Sequence, residues 1–228
     1  MPVHSAPYMP DPDALSAQLR IDDPADRARF MELLAQAVKR PGAAVYAERR
    51  VTAIQGDDFT VSGEAGDVTF TARPLARLFQ DGMTVYPFVA TCGPAMAAYG
   101  ETLTEPLEQY WWDAFMLDAV IQASQALKQE IESVAGWKPV TVAPGSIQLW
   151  PISNQPALFS LIGDVKEDIG VTLAESHLMI PLKSVSGIHF QGNGEFSHKC
   201  AICPRDNCQG RGAPYDPELA RVLEGDMV

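Results

Sequence analysis

The stretch Val140-Thr-Val-Ala143-Pro144-Gly145-Ser146-Ile-Gln-Leu-Trp150-Pro151-Ile152-Ser-Asn154-Gln155 carries three changes of local structure in sixteen residues. Val140–Ala143 reads as a brief strand. Pro144-Gly145-Ser146 is a tight turn, where a glycine lets backbone approach a neighbour or ligand closely. From Gln155 to Ile162 the pattern becomes helical, with Leu158, Phe159, Leu161 and Ile162 inward. Further on, Val171–Ala174 and Ser184–Phe190 read as strands, the second rich in β-branched residues.

Upstream, Asp23-Pro24 starts a helix as N-cap and first helical residue, with Phe30, Leu33, Leu34, Ala37 and Val38 at helical spacing and Pro41-Gly42 as the stop. The alternating runs Ala44–Ile54, Asp58–Ser62 and Asp67–Ala72, separated by glycines, predict antiparallel strands joined by hairpins. A short helix near Pro74–Phe79 leads into a strand over Met83–Thr91. Thr104 to Ala135 gives the strongest helical signal, with Trp112, Phe115, Met116, Ala119, Val120, Ala123, Ala126, Leu127, Ile131 and Val134 expected as a core stripe. Helices and antiparallel strands mix without a βαβ repeat, so the expected class is α+β. The expected organisation is an arm over residues 1–20, one α+β domain over 21–195, and a cysteine-rich tail over 196–228 with a last amphipathic turn at Asp216–Glu224.

The chain has 228 residues, 46% of them apolar, which is enough for a proper core. Its formal charge is −12, and Lys and Arg form no stripe, so nucleic acid is not an expected ligand. No apolar run is long enough to span a bilayer. The N-terminal residues lack the order of a secretory signal, so cytoplasm is the expected compartment, where structural disulfides are disfavoured.

Three of the four cysteines sit in Cys200-Ala-Ile-Cys203-Pro204-Arg-Asp-Asn-Cys208. Thiolates at this spacing, in a loop broken by Pro204, Gly210 and Gly212, can converge on one metal. A tetrahedral zinc or an iron–sulfur cluster takes four protein ligands. The fourth is Cys92, in Thr-Cys-Gly-Pro, or His198. Four thiolates suit a 4Fe-4S cluster as readily as zinc, whereas three thiolates and an imidazole read as zinc. Two disulfides or four idle thiols are the competing reading.

From Ala143 to Phe190 the chain resembles the reactivation domain of cobalamin-dependent methionine synthase and its stand-alone relatives. The matching pieces are Ala143-Pro144-Gly145, Trp150-Pro151-Ile152-Ser153-Asn154-Gln155, Leu158-Phe159-Ser160-Leu161, Ile169-Gly170-Val171, Leu173-Ala174-Glu175-Ser176, Met179-Ile180-Pro181 and Ser184-Val185-Ser186-Gly187. The resemblance implies a C-shaped α+β domain with a twisted antiparallel sheet and flanking helices, docking over the corrinoid of a partner protein. It also implies that Pro144, Gly145, Ser146, Ser184, Ser186 and Gly187 frame the cofactor side. The family binds S-adenosylmethionine with an Arg three residues before the Pro-Gly and a Tyr directly after, and an acidic residue on its long helix. Here those positions hold Thr141, Ser146, and Gln122 or Gln125, which argues against retained adenosylmethionine binding, because Thr cannot supply a bidentate positive fork. Some stand-alone relatives share a Thr-Cys-Gly turn and a terminal cysteine cluster, a pairing that favours Cys92 as fourth ligand. The implied role is an activator of a corrinoid methyltransferase system, passing an electron from an iron–sulfur cluster to cob(II)alamin on the partner. A zinc-stapled docking module and an adenosylmethionine-dependent remethylating protein are the alternatives.

Overall fold

The computed structural model describes residues 3–193, 196–208 and 211–225. Gly210 of the cysteine loop and the ends of the expected arm and tail lie outside the described residues. In chain order the elements are β1 (Val3–Ala6), α1 (Pro12–Gln18), α2 (Pro24–Ala37), β2 (Gly42–Tyr46), β3 (Arg49–Gln55), β4 (Asp58–Val61), β5 (Val68–Thr71), α3 (Arg73–Leu78), β6 (Thr84–Thr91) and α4 (Pro94–Gly100). They continue with α5 (Pro106–Ala135), β7 (Pro139–Val142), α6 (Gln155–Ile162), α7 (Val165–Ile169), β8 (Thr172–Leu173), β9 (Met179–Ile180), β10 (Ser184–Gln191) and α8 (Pro217–Glu224). The class is α+β, with antiparallel strand pairs and flanking helices, as the sequence predicts.

Three helices begin alike. Asp11, Asp23 and Asp216 each turn a carboxylate oxygen onto the amides two and three residues ahead, and proline follows each cap. Proline at that position loses no helical hydrogen bond and presets φ, so the sequence writes the start of each helix directly.

The chain divides into two compact units. The first comprises Met1–Val45, Val89–Gln129 and Val165–Val185. In it β1 pairs with β2, Val3 opposite Val45 and Ala6 opposite Gly42. Its core packs Phe30, Leu33 and Leu34 of α2 with Trp111, Trp112 and Phe115 of α5, and Phe30 lies edge-on to Trp111 and Phe115 at 5.8 and 5.1 Å. Each such side chain contributes about 1.5–3 kcal/mol on burial. Tyr8 and Leu15 belong to the same core. The first twenty residues therefore do not form the expected surface arm. They supply a sheet strand, a capped helix and two core side chains.

The second unit comprises Tyr46–Phe88, Glu130–Asp164 and Ser186–Val228. Here β3, β4 and β5 form an antiparallel meander, and β7 pairs with β10 through Val142 opposite Ile188 and Val140 opposite Phe190. Phe59 and Phe70, facing across β4 and β5, stack at 5.1 Å, and Trp150 meets Phe70 edge-on at 5.9 Å. Phe196, Ile202, Ala220 and Leu223 enter this same core. The cysteine-bearing tail is thus integral to the unit, because its apolar residues have the meander and β7–β10 to pack on.

Among the described residues no helix is long and apolar enough to cross a membrane.

Candidate functional site

In the second unit the Pro144–Ser146 turn and the cysteine loop meet. Gly145 has φ +78° and its amide donates to Trp150 O at 2.6 Å, so the turn doubles back onto the Trp-Pro step. Ser146 closes the turn internally: its Oγ accepts from the Ala143 amide at 2.9 Å and donates to Ala143 O at 2.7 Å. Beyond it lies a cavity of about 260 Å³, bounded by Gly145, Ser146, Gln148 and Pro151 on one side and by Ile202, Cys203 and Pro204 on the other. A segment expected from the resemblance to frame a cofactor and a cysteine expected to bind metal thus share one wall-to-wall space.

The cysteine loop has a built backbone. A 3₁₀ turn, Lys199–Ile202, is capped by His198, whose Nδ1 accepts from the Cys200 amide at 3.1 Å. Ile202 anchors it in the core, and Asp216 N donates to Ala201 O at 2.8 Å. Arg211 then gathers the carbonyls. Its Nη1 donates to Cys200 O at 3.2 Å and Ala213 O at 3.4 Å, and its Nη2 to Cys203 O at 3.3 Å and to Arg205 O. A planar guanidinium with fixed donor directions suits this task where a lysine does not. The Gly212 amide donates to Cys200 Sγ, 3.5 Å away. Sequence reasoning missed Arg211; the signal was an arginine three residues beyond Cys208, inside the cysteine loop.

Cys200, Cys203 and Cys208 are half-buried free thiols, and Cys92 is also free, so the disulfide reading finds no support in the geometry. Among the described residues no three His, Cys, Asp or Glu side chains converge as a metal-holding group. The donor set also divides. The three loop thiols are partly accessible and sit on a hydrogen-bonded backbone, but they are not gathered as a ligand set. Cys92 belongs to the first unit, is fully buried in its apolar core, and donates only weakly to Gly93 O at 3.7 Å. Burial pushes its thiol up to about 11, which disfavours the thiolate that a metal requires.

The serines of β10 have inward roles. In the first unit, Ser184 Oγ donates to Pro181 O at 2.7 Å and lies 2.9 Å from Thr91 Oγ1. In the second, Ser186 Oγ donates to Gln155 Oε1 at 3.1 Å, and both residues are buried. The two hydroxyls share a strand face, as the alternation predicts, but that face is the packed one. Gly187 is small for a packing reason too: a Cβ there would sit 2.4 Å from Val142 O. Thr141 pairs its hydroxyl with His189 Nδ1 at 2.8 Å, and His189 stacks on Phe88 at 4.1 Å. In the first unit, Gln122 Oε1 accepts from the Met9 amide at 3.0 Å, and its Nε2 donates to Asp118 at 2.9 Å. His177, beside Glu175, has φ +65° and its amide closes the turn between β8 and β9 by donating to Ala174 O.

No family model and no curated protein matches the chain. Among solved structures it is similar to the MetH reactivation domain bound to AdoHcy, with a TM-score of 0.53, 15% identity, and coverage of 75% of this chain and 68% of that one. At that identity the likeness establishes the fold: the chain is built like a methionine synthase reactivation domain.

Proposed function

We propose that the chain is an accessory activator of a corrinoid-dependent methyltransferase system, docking on the partner's corrinoid and presenting the cysteine loop as its redox centre. The carrying observation is the cavity shared by Gly145, Ser146 and Cys203. It joins the turn that the family resemblance places on the cofactor side to the thiols best suited to hold metal. The likeness to a domain solved with AdoHcy supports the corrinoid setting. Cys200, Cys203 and Cys208 would hold the centre, with Cys92 or His198 as fourth ligand. A 4Fe-4S cluster, when bound, supplies the low-potential electron that cob(II)alamin reduction requires. The chain's own contribution is positional: Arg211 and the His198 cap fix the backbone of the loop that carries the thiols.

Adenosylmethionine is not part of this reading. Thr141 and Ser146, at the positions where the family recognises it, spend their hydroxyls on His189 and Ala143. The zinc-stapled docking module is the second reading, and one observation favours it. His198 lies in the same unit as the loop thiols, with its ring against Gly212, whereas Cys92 needs to lose a proton in an apolar core. Metal and acid-labile sulfide analysis of protein purified without oxygen separates the two. About four iron and four sulfide per chain, lost in Cys203→Ala, support the redox activator. One zinc without sulfide overturns it in favour of the docking module.

A further inference from the structure

The first unit holds a larger cavity, of about 550 Å³, within the range of small-molecule sites. It opens between α4, the first turns of α5, and the segment that runs from β9 to Lys183. Trp112 backs it. Its indole Nε1 donates to Met96 O at 2.9 Å and the ring is fully buried, so it forms an apolar floor beneath the accessible wall. Gly100 makes that placement feasible, since a Cβ there would lie 2.7 Å from Trp112 Cδ1. Met116, Ile180 and Leu182 add flexible apolar wall, and Ile180 and Leu182 are exposed without a ligand.

The polar groups at this cavity are few and unbalanced. Lys183 is engaged by Asp113 at 2.9 Å. Glu101 lines the same space, and among the described residues it has no ion-pair partner. One carboxylate is therefore in excess beside an apolar, aromatic-backed trough. An anionic amphiphile meets two carboxylates and a lysine already neutralised. A cation with an apolar body satisfies Glu101 and covers the exposed side chains together.

We infer that this cavity is a binding site for a small apolar amine, its hydrocarbon or aromatic body against Trp112, Met116, Ile180 and Leu182 and its ammonium at Glu101. The site is separate from the cysteine loop and does not depend on the corrinoid reading.

Fluorescence titration of the full chain with dansylcadaverine, a naphthalene carrying one primary amine, tests it against the neutral N-acetyl form of the same dye. The amine is expected to saturate with a blue-shifted emission and to bind about fivefold tighter than the neutral dye, the worth of one partly exposed ion pair. Glu101→Gln is expected to erase that preference and leave the neutral dye's affinity unchanged. Ala98→Trp, at an exposed position that fills the cavity, is expected to abolish both. Unchanged circular dichroism and melting in the two variants show that their folds survive. Equal affinity for the two dyes in the parent chain, no saturable binding of either, or full binding by a folded Ala98→Trp variant would each overturn the assignment.

Discussion

Cys92 and the loop cysteines are chemically identical in the sequence and opposite in the fold. Cys92 is fully buried in the core cluster that also holds Phe30, Leu33, Met96 and Trp112, and its amide is tied to Lys183 O at 3.0 Å. Holding it as thiolate there costs about 3 kcal/mol more than for an ordinary thiol, since its titration is displaced upward from 9.0 to about 11. Cys200, Cys203 and Cys208 sit half-exposed on a backbone whose carbonyls are occupied by Arg211, so their sulfurs are left for outside chemistry. The contrast teaches that spacing identifies donors, while burial and backbone support decide which donors are ready. The loop trio is ready; Cys92 joins a metal only if its surroundings repack.

Alkylation rates offer the largest effect by which to break this contrast. At pH 8, in chelator-treated protein, iodoacetamide is expected to modify the loop thiols at least about 10-fold faster than Cys92, because Cys92 is fully buried and burial holds its thiol protonated. Peptide mass spectrometry over a time course reads each site separately. Equal rates at Cys92 and Cys203 would sink the distinction.

Why the sequence conveyed one half of this and not the other follows from the range of the forces involved. Helix starts at Asp23 and Asp216 are local hydrogen-bonding facts, and both were legible. The α6 span and the strand beginning at Ser184 were legible from apolar spacing. The strand β1 was not, because Val3–Ala6 becomes a strand only by pairing with Gly42–Val45, far along the chain. The short helix α4 escaped because Cys92-Gly93-Pro94 reads as a stop, although proline there opens a new helix and turns Met96 inward. Alternation correctly placed Ser184 and Ser186 on one face, but which face is buried depends on Thr91 and Gln155, outside any local window. The site divides in the same way. The Cys200–Cys208 spacing and the Pro-Gly turn stood out, but their meeting at one cavity and the Arg211 clasp are tertiary facts.

The contrast sharpens further in the pH dependence of stability. Cys92 has its folded value raised, so the folded chain keeps a proton that the unfolded chain releases from about pH 9 upward. Its contribution is therefore fully present below pH 9 and is lost as pH rises through about 11. The amount is about 2–3 kcal/mol. Tyr8, Tyr46 and Tyr86 are also raised by burial and lose stability in the same direction, so the measurement must be a difference. Urea unfolding of metal-free protein at pH 8.5 and 10.5, for the parent and for Cys92→Ala, isolates it. The variant starts less stable through its cavity but is expected to lose less on alkalinisation. Parallel losses would show that burial does not hold the Cys92 thiol protonated over this range.

The smallest effect concerns the clasp that makes the loop different. Arg211→Gln removes the guanidinium from Cys200 O, Cys203 O, Arg205 O and Ala213 O. Because the site is part-exposed and water replaces some of these bonds, the expected cost is only about 1–2 kcal/mol. It should fall on the loop rather than on the whole unit, whose core is carried by Phe59, Phe70, Trp150 and Phe190. Hydrogen exchange therefore discriminates better than a melting curve. Amides from Lys199 to Asn207 are expected to exchange about tenfold faster, a rise matching 1.4 kcal/mol of lost local opening energy, while β4 and β10 stay protected. Metal loading of the variant should then require higher metal concentration, with the final stoichiometry unchanged, since no sulfur has been removed. If exchange in the loop stays slow without Arg211, its order comes from Ile202 and the His198 cap. The thiols would then owe their readiness to packing, as Cys92 owes its silence, and the two regions would differ in exposure alone.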